Sequence, residues 1–200
     1  MIANVTNRDK IRVRGVNDTY CTKYLGGYYY QFFHSTANYS LSGNIMSLIY
    51  GEDFKGKTVF PSGSTFNFCS MFYDMIGLTS NTNTELEDVD GLVMLATTLT
   101  ESCYESMFQG CTNLITAPFL PATAGATNCY KNMYNGCTNL TTVKSSLVAP
   151  SASFTDDWLS GVASTGSFFY SKSAKDSGGN TTWPSGTSGI PSGWAAYDVY

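Results

Sequence analysis

At 200 residues the chain is long enough for one substantial core, with 42% hydrophobic but only 13% charged side chains, about half the usual ~25% share of charge. The net charge of −4, with only 11 Lys and Arg, leaves little to neutralise a phosphate backbone and argues against a nucleic-acid partner. No run approaches the ~18 apolar residues of a membrane-crossing helix, so no membrane insertion is expected.

The opening "MIANVTNRDKIRVRG" lacks the apolar centre of a secretory signal. That fits either a fragment or mature form of an exported protein, or one that leaves its cell by another route. From residue 10 to residue 50 the chain is strand-prone: "IRVRGV" alternates, "YYYQFFHS" is aromatic, and "YSLSGNIMSLIYG" continues the theme. These features predict a β-rich N-terminal cap over residues 1–60. Tyr28, Tyr29 and Tyr30 are weak binding candidates, since an aromatic face stacks on a sugar or fills a partner's pocket, although at least one must point into the cap's core. The only histidine, His34, has no nucleophile motif beside it and reads as a structural or surface residue.

The middle of the chain repeats itself. "CYESMFQGCTNL" begins at Cys103 and "CYKNMYNGCTNL" at Cys129, an offset of 26 that Cys111 and Cys137 share. Periods of about 20–29 residues are those of leucine-rich repeats. Ala126, Cys129, Tyr130, Met133 and Tyr134 fall at the spacing of one apolar helical stripe, matched by Leu99, Cys103, Tyr104, Met107 and Phe108. Gly110 and Gly136 would end those helices. After each glycine a short strand is expected, with Cys111, Leu114, Ala117 and Phe119 inward in one unit and Cys137, Leu140 and Val143 in the next. Pro118 and Pro121 limit its ladder bonds. Alternation sends Thr116, Pro118, Thr142 and Lys144 outward, the second set of candidate binding residues.

One helix and one strand cannot bury this many rings and thiols, so each unit must cover its neighbour. "CSMFYDMIGLTS" extends the pattern upstream, displaced by the acidic segment "NTNTELEDVDG", and "FTDDWLSGVAS" is a degenerate last unit. Repeats therefore occupy residues 61–150. Over residues 151–200 the degenerate repeat leads into a β-rich C-terminal cap: "GSFFYSK" reads as a strand, "DSGGN" as a turn, and the run ending "GWAAYDV" as a closing strand. The fold class is α/β: a short leucine-rich-repeat solenoid, strand plus short helix per 26-residue repeat, with β-rich caps at both ends.

The phrase "CYESMFQGCTNLITAPFLPAT" resembles the BspA-like leucine-rich repeats of bacterial surface proteins, abundant among gut Bacteroidales. The lead-in "SGNIMSLIYGEDF" and the close "GTSGIPSGW" are similar to segments that flank such arrays. The resemblance implies an extracellular or cell-surface recognition and adhesion module that binds a protein or glycan on a host or neighbouring cell. Similar arrays occur in phages of these bacteria, which implies the alternative of a virion component such as a tail fibre or tip.

Catalytic signatures are missing from the sequence. It holds no G-x-S-x-G, HExxH, phosphate loop or dinucleotide glycine pattern, so neither an enzyme nor a cofactor is expected. Asp88, Asp90 and Gly91 lack the acidic twelfth position of a calcium loop and read as a solvated loop. The repeated cysteines are read as core layers rather than cross-links, their C-x7-C spacing fitting no zinc site, with disulfides or metal as the alternatives. Cys21 and Cys69, outside the repeated phrase, are the remaining candidates for a pair.

Overall fold

The computed structural model of the chain describes Val16, residues 41–78 and residues 91–199. Tyr28, Tyr29, Tyr30, His34, Cys21, Asp88 and Asp90 lie outside the described residues. In chain order the regular elements are β1 (Gly43–Asn44), α1 (Ser47–Tyr50) running into a 3-10 turn (Gly51–Phe54), β2 (Leu92–Val93), β3 (Thr142–Ser145), α2 (Ala152–Thr155), β4 (Gly166–Tyr170) and β5 (Trp194–Asp198). The named strands pair in parallel, β1 with β2 and β3–β4–β5 in that order, while Val16–Tyr50 and Lys175–Thr181 are isolated antiparallel bridges. Single bridges extend the larger ladder backward, with Thr116 opposite Thr142 and Leu120 opposite Ser145. Parallel strands need a long crossover between them, and between β3 and β4 that crossover is the degenerate last unit.

The stripes at residues 99–108 and 126–134 predict short helices, and the structure replaces them with consecutive turns. Amides at odd positions bond three residues back: Cys103 to Thr100, Glu105 to Ser102, Met107 to Tyr104 and Gln109 to Ser106, at 3.2–3.3 Å. Amides at even positions leave the layer altogether. Ser102, Tyr104, Ser106, Phe108 and Gly110 donate to the carbonyls of Thr127, Cys129, Lys131, Met133 and Asn135, at 2.8–3.0 Å. The same pattern joins the preceding layer, where Phe68 donates to Cys103 and Phe72 to Met107, and the following one, where Tyr130 donates to Phe154 and Tyr134 to Trp158. Along each segment the backbone groups are thereby satisfied without an α-helix.

Layer spacing explains the difference. Strands in the ladder repeat every ~4.8 Å, whereas packed helices keep their axes about 8–10 Å apart. Units stacked in register at the strand pitch leave no room for a helix on the other side, so that side flattens into turns. The turns need left-handed residues at every fourth position. Ser102, Ser106 and Gly110 supply them in one layer and Asn128, Asn132 and Gly136 in the next, with φ between 51° and 78°. Asn and Gly tolerate this region best. In the last position of the segment Gly136 sits over the Gly110 backbone, 3.7 Å from where a Cβ would project, and the Asp74 carboxylate lies directly on Gly110.

The side chains follow the backbone into columns. Phe68, Tyr104, Tyr130 and Trp158 form one, with centroids 6.0, 6.0 and 6.1 Å apart; Phe72, Phe108 and Tyr134 form a second at 5.4 and 5.6 Å. These rings are 0–3% exposed. Thiols line the same interior: Cys103, Cys111, Cys129 and Cys137 are fully buried and free. Cys111 and Cys137 each donate to a carbonyl one layer back, Phe72 and Phe108, at 3.0 Å. Where the first layer lacks the Cys103 equivalent, buried Asn67 stands instead, accepting from Thr100 Oγ1 at 2.7 Å and donating to Ser64 Oγ at 2.8 Å. On the outer ridge of the turns Lys131 faces Asp156 of the next layer at 3.6 Å, a surface pair of small energetic weight.

Further rings flank the columns and cover their C-terminal end. Phe60 lies beside the first column and meets Phe68 and Tyr104 edge-on. At the C-terminal end, Trp183 stacks on Trp158 at 5.3 Å and meets Phe168 edge-on at 4.8 Å. The segment after Trp183 is tied to the last layer by Trp158 Nε1 donating to Gly189 O (3.0 Å) and Thr155 Oγ1 to Ser188 O (2.7 Å). Trp194 Nε1 adds a bond to Ala163 O at 2.8 Å. Trp183 and Trp194 are buried, and the expected strands "GSFFYSK" and "GWAAYDV" correspond to β4 and β5.

Candidate functional site

β3 alternates strictly: Val143 and Ser145 turn into the core while Thr142 and Lys144 stay half-exposed. Because the pairing is in register, outward residues of successive layers form rows along the stack. Thr116, Thr142, Ser167 and Ala195 make the first row. Lys144, Phe169 and Tyr197 make the second, with Phe119 beside Lys144 at its start. Three of the four strand-face candidates, Thr116, Thr142 and Lys144, are thus brought together. Tyr28, Tyr29 and Tyr30 fall outside the described residues.

Pro118 is the exception: it is buried rather than outward, and Phe119, expected inward, is half-exposed. Between the two bridges the chain advances from Thr116 to Leu120 while its partner advances only from Thr142 to Ser145. The extra residue makes a bulge, the place a sheet tolerates a proline, and it swaps the faces of Pro118 and Phe119. Ala117 and Leu120 remain inside, at 2% and 0% exposure.

The second row carries the aromatic weight of the face. Lys144 Nζ lies 5.2 Å over the Phe119 ring, a cation–π arrangement. Phe169 and Tyr197 stack at 5.3 Å with an interplanar angle of 24°, and Tyr197, the last ring, is 48% exposed. Next to it the Asp198 carboxylate accepts a hydrogen bond from Lys175 Nζ. That bond holds the Asp198 pKa below its ordinary value and the Lys175 pKa above its own, so both are charged at neutral pH. Backbone amides lie in the plane of a sheet and are spent on the ladder, so the face presents side chains only: hydroxyls, rings and one ammonium.

Sequence reasoning missed Phe119, Ser167, Phe169 and Tyr197. The signal for two of them was in the text: with Phe168 inward, alternation puts Ser167 and Phe169 outward. Phe119 was hidden by the bulge, and Tyr197 by the lack of any marker for which side of the closing strand meets solvent.

The repeated thiols and phenols of the described interior are held in their protonated forms. Burial pushes Cys111 and Cys129 up to about 12, and raises Cys103, Cys137 and the phenols of Tyr104, Tyr130 and Tyr134 well above their ordinary values. At neutral pH all are protonated, and a thiol is a weak nucleophile in that form. Among the described residues no group of His, Cys, Asp and Glu is arranged to hold a metal ion, and no helix is long and apolar enough to cross a membrane. No protein-family profile, curated protein or solved structure matches the chain.

Proposed function

We propose that the chain is a short BspA-like leucine-rich-repeat solenoid that serves as a non-catalytic extracellular recognition or adhesion module, binding a protein or glycan of a host or neighbouring cell through its strand face. The observation that carries this reading is the pair of outward rows: half-exposed rings beside a line of hydroxyls, on a scaffold whose polar backbone is internally satisfied. Rings presented rigidly lose little entropy on binding, which is why aromatic residues dominate recognition surfaces. The non-catalytic reading rests on the sequence, which holds no recognised catalytic motif, and is consistent with the protonated, buried thiols.

The test is binding of the soluble chain to intact bacterial and epithelial cells and to a panel of their surface proteins and glycans. Exchanging Tyr197→Ala together with Lys144→Glu is expected to weaken binding at least tenfold, while Lys55→Ala, at an exposed residue outside both rows, leaves it unchanged. Undiminished binding by the double variant, or no binding to any cell or panel member, would remove support for this reading.

A further inference from the structure

The size of the face restricts what it can hold. Successive outward residues along a strand are about 7 Å apart and successive layers ~4.8 Å, so two rows across four layers cover roughly 200 Å², several-fold below the ~800 Å² per partner of an ordinary protein interface. A folded protein seated here would find most of its contact elsewhere. A narrow strip of this shape suits a single linear chain running along the stack axis.

Two linear polymers could fit, and the chemistry separates them. An extended peptide gains its affinity from main-chain hydrogen bonds to an open sheet edge, with side-chain pockets adding specificity. This face has its amides in the ladder, and its two rows stand only two residues apart along each strand. It offers instead what a carbohydrate uses: hydroxyls of Thr116, Thr142 and Ser167 at the repeat of the layers, and apolar rings against which the C–H face of a pyranose rests. Phe169 and Tyr197 stack on each other, so Tyr197, the more exposed and last in the row, is the ring with an open face.

We propose that the ligand of the strand face is a linear oligosaccharide, with one pyranose on Tyr197 and the following units lying over the hydroxyl row beside Lys144. The proposal rests on the recognition reading above and narrows it to one ligand class. Lys144, the cation of the second row, gives a carboxylated sugar an ion pair that a neutral one lacks, so the two sources of the same ring chemistry are distinguishable.

The experiment is calorimetric titration and array binding of the full chain with defined linear oligosaccharides: neutral glucan, xylan and mannan series, and carboxylated polygalacturonate and sialylated O-glycan series. Binding to at least one series is expected, weakened tenfold or more by Tyr197→Ala, several-fold by Phe169→Ala, and restored by Tyr197→Phe. Lys144→Ala should weaken only carboxylated ligands. Melting curves establish that each variant is folded, and Tyr197, being half-exposed, leaves the core untouched. Glycan binding unchanged by Tyr197→Ala overturns the assignment. So does the absence of glycan binding in a chain that captures a folded protein or peptide through the same face, an outcome that leaves the recognition reading standing. Absence of any ligand on the face overturns both.

Discussion

Trp158→Ala is expected to lower the unfolding free energy by about 3–5 kcal/mol, the range for deleting a large buried aromatic. Trp158 is fully buried and closes the ring column: it meets Tyr130 and Tyr134 of the layer before it and Phe168 and Trp183 beyond. Its indole N–H also holds Gly189 of the C-terminal cap at 3.0 Å. Truncation removes the hinge between stack and cap and leaves a buried carbonyl without its donor, at a further cost on the order of 1 kcal/mol. Against a typical total of about 5–15 kcal/mol, that is enough to unfold a marginal chain. Trp158→Phe keeps most of the ring contact and should cost about half as much. Urea unfolding measures both; a loss under about 1 kcal/mol for the alanine variant would show that the column does not hold the layers together.

The second large effect is alkaline instability. Burial places the folded-state pKa of Cys111 and Cys129 at about 12 against an ordinary 9.0. A group raised in this way contributes its full stability below the unfolded-state pKa, and that contribution is lost as pH rises toward the folded value, because only the unfolded chain can release the proton. The window therefore runs from about pH 9 to about pH 12. Two such thiols remove about 2.7 kcal/mol per pH unit within it. Cys103, Cys137 and the three buried phenols shift in the same direction, again because of burial, and steepen the loss. The melting temperature should be flat between pH 7 and pH 8 and fall sharply above pH 9, and a Cys111→Ala, Cys129→Ala double variant should show a shallower fall. A melting temperature that holds to pH 11 would mean that these groups are solvated.

Much of this was legible in the amino-acid order. The offset of 26 between the paired phrases located the layers, and their shared letters, Cys103 with Cys129 and Tyr104 with Tyr130, marked buried positions. The strand face was readable from Ala117 and Val143, inward residues from which Thr116, Thr142 and Lys144 stand one position away and so on the opposite side. The backbone of the other half was not. An apolar spacing of three and four residues fits a helix, but it also fits a run of turns that returns to the same side every fourth residue, and only the layer pitch decides between them. The clue that periodicity overlooks is the second set of letters: Ser102, Ser106 and Gly110, then Asn128, Asn132 and Gly136, small or polar residues four apart where the chain turns left-handed. Pro118 illustrates the same limit on the strand, since one extra residue between two bridges reverses inside and outside.

The stack is held by backbone bonds that run between layers rather than along a helix. Scalar couplings measured across hydrogen bonds by NMR identify the carbonyl partner of each amide directly. The structure predicts couplings from the Tyr104 amide to the Cys129 carbonyl and from the Phe108 amide to the Met133 carbonyl. Couplings from those amides to Thr100 and Tyr104, four residues back, would mean α-helices and would contradict it.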